Sequence, residues 1–132
     1  MKILVTGSSG FIGQHLVPKL KQSHDVVCFE SDLLDFEKSQ QEILDQQPDQ
    51  ILHLAARTEV EKSFYEPIVF SKINYVGTEN LVNAASKIPN FKNFLFASTM
   101  EVFGWQPVSD DIQKGNVPNT IPVFDETTIP NP

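Results

Sequence analysis

The stretch Thr6-Gly7-Ser8-Ser9-Gly10-Phe11-Ile12-Gly13 decides the fold. It begins at the last residue of Lys2–Thr6, an apolar run that predicts a strand buried on both faces. Gly7 permits a tight turn out of the strand, Gly10 removes a Cβ where backbone approaches a diphosphate, and Gly13 lets the helix and the sheet pack closely. The free N–H groups that open the next helix then face the phosphates. The stretch predicts a dinucleotide-binding loop, and the alternative is an ordinary glycine-rich turn.

Segments typical of strands and helices alternate along the rest of the chain. Further strands are predicted at Asp25–Glu30, Gln50–Ala55 and Asn93–Ser98, and helices at Phe11–Lys21, at Phe36–Gln47 with Asp35 as its cap, and from Pro67 to near Lys87. This order predicts an α/β fold: a Rossmann-like, doubly wound parallel sheet, truncated at about four strands with flanking helices. We place this domain over residues 1–104. Residues 105–132 hold five of the nine prolines and are predicted to be an extended segment.

Composition restricts the classes of partner. The net charge of −7 argues against nucleic acid and anionic membranes, because their phosphates would be repelled. Cys28 is the single cysteine, so no disulfide framework or cysteine-rich metal site is expected within one chain. No apolar run approaches the ~18 residues of a membrane span. We therefore expect a cytoplasmic protein without a metal.

Glu30 ends the second predicted strand, where a carboxylate has a specific role in dinucleotide sites. It accepts hydrogen bonds from the adenosine ribose hydroxyls and repels a 2′-phosphate. Residues 31–37 contain no arginine or lysine that would attract that phosphate. The prediction is NAD rather than NADP. The alternative for Glu30 is a solvated strand end.

Several motifs together resemble those of the extended short-chain dehydrogenases/reductases that act on nucleotide sugars, the NAD-dependent epimerase/dehydratase group. They are the Thr6–Gly13 loop, Asp32-Leu33, His53-Leu54-Ala55-Ala56, Asn74-Tyr75-Val76-Gly77-Thr78 and Ser98-Thr99-Met100-Glu101-Val102-Phe103-Gly104. The resemblance covers residues 1–104. It implies NAD as cofactor, a nucleotide sugar as substrate and hydride transfer at a sugar carbon.

Carried over by position, the resemblance implies a cofactor site drawn from several segments. Its members are Gly7, Ser9, Gly10, Phe11, Ile12, Gly13, Glu30, Asp32, Leu33, Leu54, Ala55, Ala56, Arg57 and Asn74. Two of these have open alternatives: Arg57 either contacts phosphate or is a surface charge, and Asn74 either faces the cofactor or satisfies buried backbone groups. His53 is interpreted as a structural residue on a buried strand.

The resemblance also implies catalytic residues at Thr99 and Glu101. Thr99 aligns with the hydroxyl that binds the reacting oxygen of the substrate. Dehydratases of this group carry Asp-Glu directly after that threonine, whereas this chain carries Met100-Glu101. A thioether cannot donate the proton that elimination needs, so epimerase or reductase chemistry is favoured over dehydration.

The base of this group is a tyrosine four residues before a lysine, and no such pair occurs in this sequence. Tyr65 is followed at that spacing by Val69, and Tyr75 by Glu79. Residues 124–132 resemble the stretch just upstream of the pair. We expect no turnover from this polypeptide by itself, either as part of a longer enzyme or as a naturally shortened, non-catalytic nucleotide-binding or assembly module.

The fourth predicted strand is expected to leave its edge unpaired, which invites pairing with another chain. We therefore expect a homodimer or a swapped assembly through Phe94–Phe96 or the C-terminal segment.

Overall fold

The computed structural model describes residues 1–103 and 124–130. Its contacts form two compact units, Met1–Ala97 and Ser98–Pro132. In the first unit the elements are β1 (Lys2–Thr6), α1 (Phe11–Leu20), β2 (Asp25–Cys28), α2 (Phe36–Gln46), β3 (Gln50–His53), α3 (Val60–Tyr65), α4 (Pro67–Ser71), a π-helical turn (Lys72–Val76), α5 (Gly77–Ala85) and β4 (Asn93–Phe96). The second unit contains a 3₁₀ turn at Met100–Phe103.

The four strands form one parallel sheet in the order β2-β1-β3-β4. The chain runs outward from β1 in one direction to β2 and then in the other direction to β3 and β4. The order therefore reverses between β1 and β3, the place where open α/β sheets leave a crevice at the carboxyl ends of their strands.

Helices cover both faces of this sheet, as predicted for a doubly wound fold. Leu4 and Ile51 face α2 and α5, where they pack with Ile43 and Leu81. On the other face, Ile3, Val5 and Leu52 pack with Val17 of α1. Alternate residues of β1 thus enter different cores, which is why the whole strand has to be apolar.

Three predicted strands end earlier than expected, at Cys28, His53 and Phe96. In β1, Thr6 is the last residue paired in the sheet, opposite His53. The chain then turns away at Gly7, which has φ +67°. Because β1 leaves the sheet at this level, β2 and β3 lose their central partner there.

Helix α2 begins as predicted. The Asp35 side chain accepts a hydrogen bond from the Lys38 N–H at 3.1 Å, which satisfies one of the free donors of the first turn. Helix α1 continues through Pro18 and ends at Leu20, one residue before the predicted end.

The long helix predicted from Pro67 begins there but is not uniformly α-helical. Lys72–Val76 forms a π turn between α4 and α5. The short helix α3 was not predicted, since it buries none of its residues and lacks an apolar periodicity.

The second unit contains an aromatic stack and a small turn. Phe103 and Phe124 stack with ring centroids 4.9 Å apart. The Asp125 carboxylate accepts from the hydroxyl of Thr127 at 2.7 Å and from its N–H at 2.9 Å, and these bonds, the hydroxyl first, lower the pKa of Asp125. Most of the predicted extended segment at 105–132 lies outside the described residues, so its extent and the boundary at residue 104 stay predictions.

Candidate functional site

The turn after β1 accepts only glycine at its first position. Gly7 has φ +67°, and a Cβ there would lie 2.7 Å from the Ala55 nitrogen and 2.9 Å from the Leu54 carbonyl carbon. Both neighbours are backbone atoms and cannot yield as a side-chain tip can. The loops after β1 and β3 therefore approach each other at the point where the strand order reverses.

The other two glycines of the loop differ in what surrounds them. A Cβ on Gly13 would lie 2.3 Å from the Gly7 oxygen and 2.6 Å from the Ser8 Cα, so α1 packs directly on the loop backbone. A Cβ on Gly10 would meet only the Gly7 oxygen, at 3.2 Å, and Gly10 is exposed. Gly13 is thus required by packing within the protein, whereas a Cβ at Gly10 would approach one backbone oxygen and otherwise face solvent.

Helix α1 begins with free backbone donors. Gly10 is its cap residue, and no side chain in the described part of the chain caps it. Ser9, Phe11 and Ile12 are exposed, with 79% of Phe11 and 57% of Ile12 accessible. A helix N-terminus of this kind offers N–H groups and the positive end of the helix dipole to an anion.

Glu30 lies just beyond the end of β2 and its side chain is exposed. Val5 of β1 is level with Cys28, so Glu30 is level with the start of the glycine loop. Its backbone N–H donates to the Glu42 carboxylate at 2.9 Å, and the N–H of Ser31 donates to the same carboxylate at 2.8 Å. Glu42 was not singled out from the sequence.

Asp32 and Leu33 shape the loop between β2 and α2. The Asp32 carboxylate accepts from the Leu34 N–H at 2.9 Å, while its carbonyl accepts from the Ser39 hydroxyl. Leu33 packs against the core, and its carbonyl accepts from the Asn80 amide at 2.8 Å. Contact of this pair with the adenine stays a prediction.

His53 sits at the centre of a hydrogen-bond chain below the crevice. It is 1% exposed, as expected of a structural residue. The Thr78 hydroxyl donates to the Asn74 carbonyl at 2.7 Å, so its oxygen accepts from His53 Nε2–H at 2.9 Å. His53 Nδ1 then accepts from the Thr6 hydroxyl at 2.6 Å, and Thr6 Oγ1 accepts from the Ala55 N–H at 3.2 Å.

This arrangement uses a neutral imidazole with one donor and one acceptor nitrogen. Burial lowers the pKa of His53 to about 4, which keeps the ring neutral at physiological pH. This chain of hydrogen bonds connects the end of β1 to the loop after β3 and to the π turn. Sequence spacing could not identify Thr6 and Thr78 as its other members, because they meet His53 only through the fold.

Asn74 and Arg57 are joined at the same place. The Asn74 side chain accepts from the Arg57 N–H at 2.8 Å and donates to the Arg57 carbonyl at 2.9 Å. Of the two interpretations offered for Asn74, the structure realises the one in which it satisfies backbone groups. It thereby positions the loop at Leu54–Arg57, and direct contact with a cofactor stays a prediction.

The Arg57 guanidinium is already engaged by protein groups. Its Nε lies 3.2 Å from Glu59 and its Nη2 lies 3.9 Å from Glu66, while its Cζ lies 5.1 Å from the Phe70 ring centroid. A phosphate would have to compete with these two carboxylates. Leu54 and Ala55 are partly buried beside it, and Ala56 is exposed.

Thr99 and Glu101 belong to the second unit. Both are exposed, and the Thr99 hydroxyl accepts from the Glu101 N–H at 3.3 Å. Their predicted catalytic roles stay predictions. Residues 1–103 and 124–130 contain no cluster of His, Cys, Asp or Glu suited to a metal ion. No helix in that part of the chain is long and apolar enough to span a membrane.

The parallel sheet, the reversal of strand order beside a glycine loop and the uncapped helix define a Rossmann-type α/β domain. The family model for NAD dependent epimerase/dehydratase proteins matches residues 3–125. The chain belongs to that family.

Individual relatives agree with this assignment. The chain is 33% identical over 162 aligned positions to the dTDP-glucose 4,6-dehydratase of Salmonella typhimurium, covering 97% of this chain and 44% of the relative. The UDP-glucose 4-epimerase of Thermus thermophilus, solved with NAD, superposes with a TM-score of 0.79 at 27% identity, over all of this chain and 45% of that one.

A third relative contains the phosphorylated cofactor. RMD from Pseudomonas aeruginosa, solved with NADPH, gives a TM-score of 0.73 at 29% identity, over 99% of this chain and 42% of that one. The chain therefore spans less than half the length of these relatives, and the similarity includes proteins solved with either dinucleotide.

Proposed function

We propose that this chain binds NAD and forms the cofactor-binding part of a nucleotide-sugar oxidoreductase or epimerase. The observation that carries the proposal is the loop after β1. Gly7 adopts φ +67°, Gly10 is exposed with one close backbone neighbour, and no side chain in the described part of the chain caps the first turn of α1. These features suit a diphosphate that rests against backbone N–H groups.

The other proposed contacts surround that loop. The Glu30 carboxylate would accept from the adenosine ribose hydroxyls, which favours NAD over NADP. The sequence from Thr6 to Gly13 contains no charged residue, so this loop would hold the diphosphate through its N–H groups rather than through a charged side chain. Leu54 and Ala55 would line the middle of the cofactor beside the glycine loop. When bound, NAD supplies a hydride acceptor.

The substrate class proposed for the whole protein is a nucleotide sugar, oxidised and reduced at a sugar carbon. Thr99 would hold the reacting oxygen through its hydroxyl. Met100 offers no acidic proton, so epimerisation, an isomerase reaction, or reduction is proposed over dehydration. This polypeptide by itself is proposed to bind the cofactor without turnover, because its sequence has no Tyr-x-x-x-Lys pair.

We also propose a cytoplasmic location and self-association. The single cysteine suits a reducing compartment. Strand β4 lies at the edge of the described sheet, with Leu95 and Phe96 at least half exposed. An exposed apolar edge strand is a template for pairing between chains.

Calorimetric titration with NAD and then NADP tests the proposed function. We expect saturable heat with NAD and weaker binding of NADP. Absence of heat with both dinucleotides at millimolar concentration would refute nucleotide binding. Tighter binding of NADP would refute the role given to Glu30.

A further inference from the structure

One carboxylate occupies both backbone donors that follow β2. Glu42, on the second turn of α2, accepts from the N–H of Glu30 with one oxygen and from the N–H of Ser31 with the other, at 2.9 and 2.8 Å. These are charge-assisted hydrogen bonds, stronger than those between neutral groups. The two amides lie directly beside the carboxylate proposed to bind the ribose.

Two successive N–H groups aimed at one point form a concavity that binds anions. In this protein the anion is already present as the side chain of Glu42. The 2′-phosphate, which distinguishes NADP from NAD, is attached to the same ribose that Glu30 is proposed to bind. Without Glu42, the free amides of Glu30 and Ser31 would be donors available to that phosphate.

We propose that Glu42 is a specificity-determining residue that acts as a built-in anion and excludes NADP. This inference rests on the proposed function, since it concerns the ribose end of the same dinucleotide site. Glu42 excludes the 2′-phosphate in two ways: it occupies the amide donors and it adds a second negative charge next to Glu30. It also positions Glu30 by fixing the backbone at the end of β2.

The space around these groups supports exclusion by charge and occupancy rather than by steric blocking. A cavity of about 570 Å³ adjoins Glu30, Ser31 and Glu42 and is lined further by Lys38, Gln41 and Asp45. A phosphate group would have room there. The positive charge of Lys38 is not free to balance the carboxylates that line this cavity, because its ammonium pairs with Asp35 at 2.7 Å.

The test is a double-mutant cycle on cofactor affinity. NAD and NADP are titrated calorimetrically into the wild-type chain, Glu30→Ala, Glu42→Ala and the double variant. Either single variant is expected to keep a preference for NAD, because the remaining carboxylate still opposes the phosphate. In the double variant the ratio of NADP affinity to NAD affinity should rise by more than the product of the two single effects. The excess should be roughly tenfold or more, which corresponds to about one charge-assisted hydrogen bond.

Asp45→Asn is the matched control. Asp45 lines the same cavity and accepts from the Gln41 amide, so this change removes one charge without freeing the two backbone amides. It should leave the ratio within about twofold of wild type. A gain equal to that of Glu42→Ala would overturn the proposal, because loss of charge alone would then explain it. A ratio unchanged by Glu42→Ala, both alone and when combined with Glu30→Ala, would overturn it as well.

A second measurement does not depend on the fold tolerating alanine. In a ¹H–¹⁵N spectrum of Glu42→Gln, the amide resonances of Glu30 and Ser31 should shift, and inorganic phosphate should move them further. In the wild-type chain phosphate should leave both unchanged. Phosphate-induced shifts of these two amides in wild type would contradict the proposal. Failure of wild type to bind NAD is a different outcome, which would refute the proposed function itself.

Discussion

Gly7, Gly10 and Gly13 are evenly spaced in the sequence, yet each meets a different physical demand. Gly7 adopts a left-handed backbone conformation that favours glycine. Gly13 lies against the Gly7 oxygen and the Ser8 backbone, where a Cβ would not fit. Gly10 meets neither demand, because it is exposed and a Cβ there would meet one backbone atom, so the need for glycine is attributed to the proposed diphosphate contact. The expected close packing at Gly13 occurs against the loop rather than the sheet, because the loop folds back over the start of α1.

Gly13→Ala and Gly10→Ala should therefore separate stability from binding. The Gly13 Cβ would displace backbone, so we expect a loss of about 1–3 kcal/mol in the free energy of unfolding. Gly10→Ala should cost less, about 1 kcal/mol, because its Cβ would meet only the Gly7 oxygen, at 3.2 Å, while weakening NAD binding at least tenfold. Urea unfolding and calorimetry measure the two effects. Equal destabilisation by both substitutions would contradict the distinction.

His53 should make stability depend on pH. Its pKa falls from 6.5 in the unfolded chain to about 4 in the folded protein, so the unfolded chain binds more protons between these values. The stabilisation is complete above about pH 6.5 and declines as pH falls towards 4, by about 3 kcal/mol in total. Urea unfolding at several pH values measures this slope.

The exposed His15 supplies the control for His53. His53→Asn should lose the part of the slope that lies between pH 6.5 and 4, whereas His15→Asn should keep it. The imidazole of wild-type His53 should also stay neutral by NMR at pH 5. A normal titration midpoint there would mean that burial does not depress this pKa.

At the scale of elements, the π turn explains how the long helix positions the loop after β3. A π turn inserts an extra residue into a helix and changes which side chains face its neighbours. The turn at Lys72–Val76 contains Asn74, whose side chain forms hydrogen bonds with both the N–H and the carbonyl of Arg57. The Asn74 carbonyl accepts a hydrogen bond from the Thr78 hydroxyl. The helix thus holds the loop at Leu54–Arg57 beside the glycine turn.

Asn74→Ala should loosen that loop. Loss of two hydrogen bonds, with both Arg57 backbone groups left unsatisfied, should cost about 1–3 kcal/mol in unfolding free energy. NAD affinity should fall as well, because the displaced loop borders the proposed site. Asn83→Ala is the control, since Asn83 is an exposed asparagine on α5. If both variants match wild type in stability and affinity, Asn74 has no positioning role.

At the scale of the whole molecule, the edge of the described sheet is the feature on which the proposed self-association depends. The described sheet ends at β4, where Leu95 is 59% exposed and Phe96 is 50% exposed. Charged residues on an edge strand oppose pairing with another chain, and lysine is the commonest device.

Light scattering at high protein concentration should therefore detect a dimer of the wild-type chain, and Leu95→Lys should shift it to monomer. Val60→Lys is the matched control, because Val60 is an exposed apolar residue on α3 and lies outside the sheet. It should leave the dimer intact. A monomeric wild-type chain, or equal loss of the dimer in both variants, would argue against assembly through β4.

The amino-acid sequence by itself determined the parallel α/β class, the glycine turn, the Asp35 cap and the positions of the principal elements. Each depends on local propensity or on the periodicity of apolar residues, which act within a few residues along the chain. The motifs were also sufficient to identify the family, and the family model that matches residues 3–125 confirms this identification.

Only the tertiary structure decided the ends of the strands, the π turn, the engagement of both Glu30 and Ser31 by Glu42, and the hydrogen-bond chain through His53. Thr6 and His53 are 47 residues apart in sequence, and they meet because β1 and β3 pair in one particular register. Such contacts depend on where separate elements are placed, and no local pattern of residues encodes that placement.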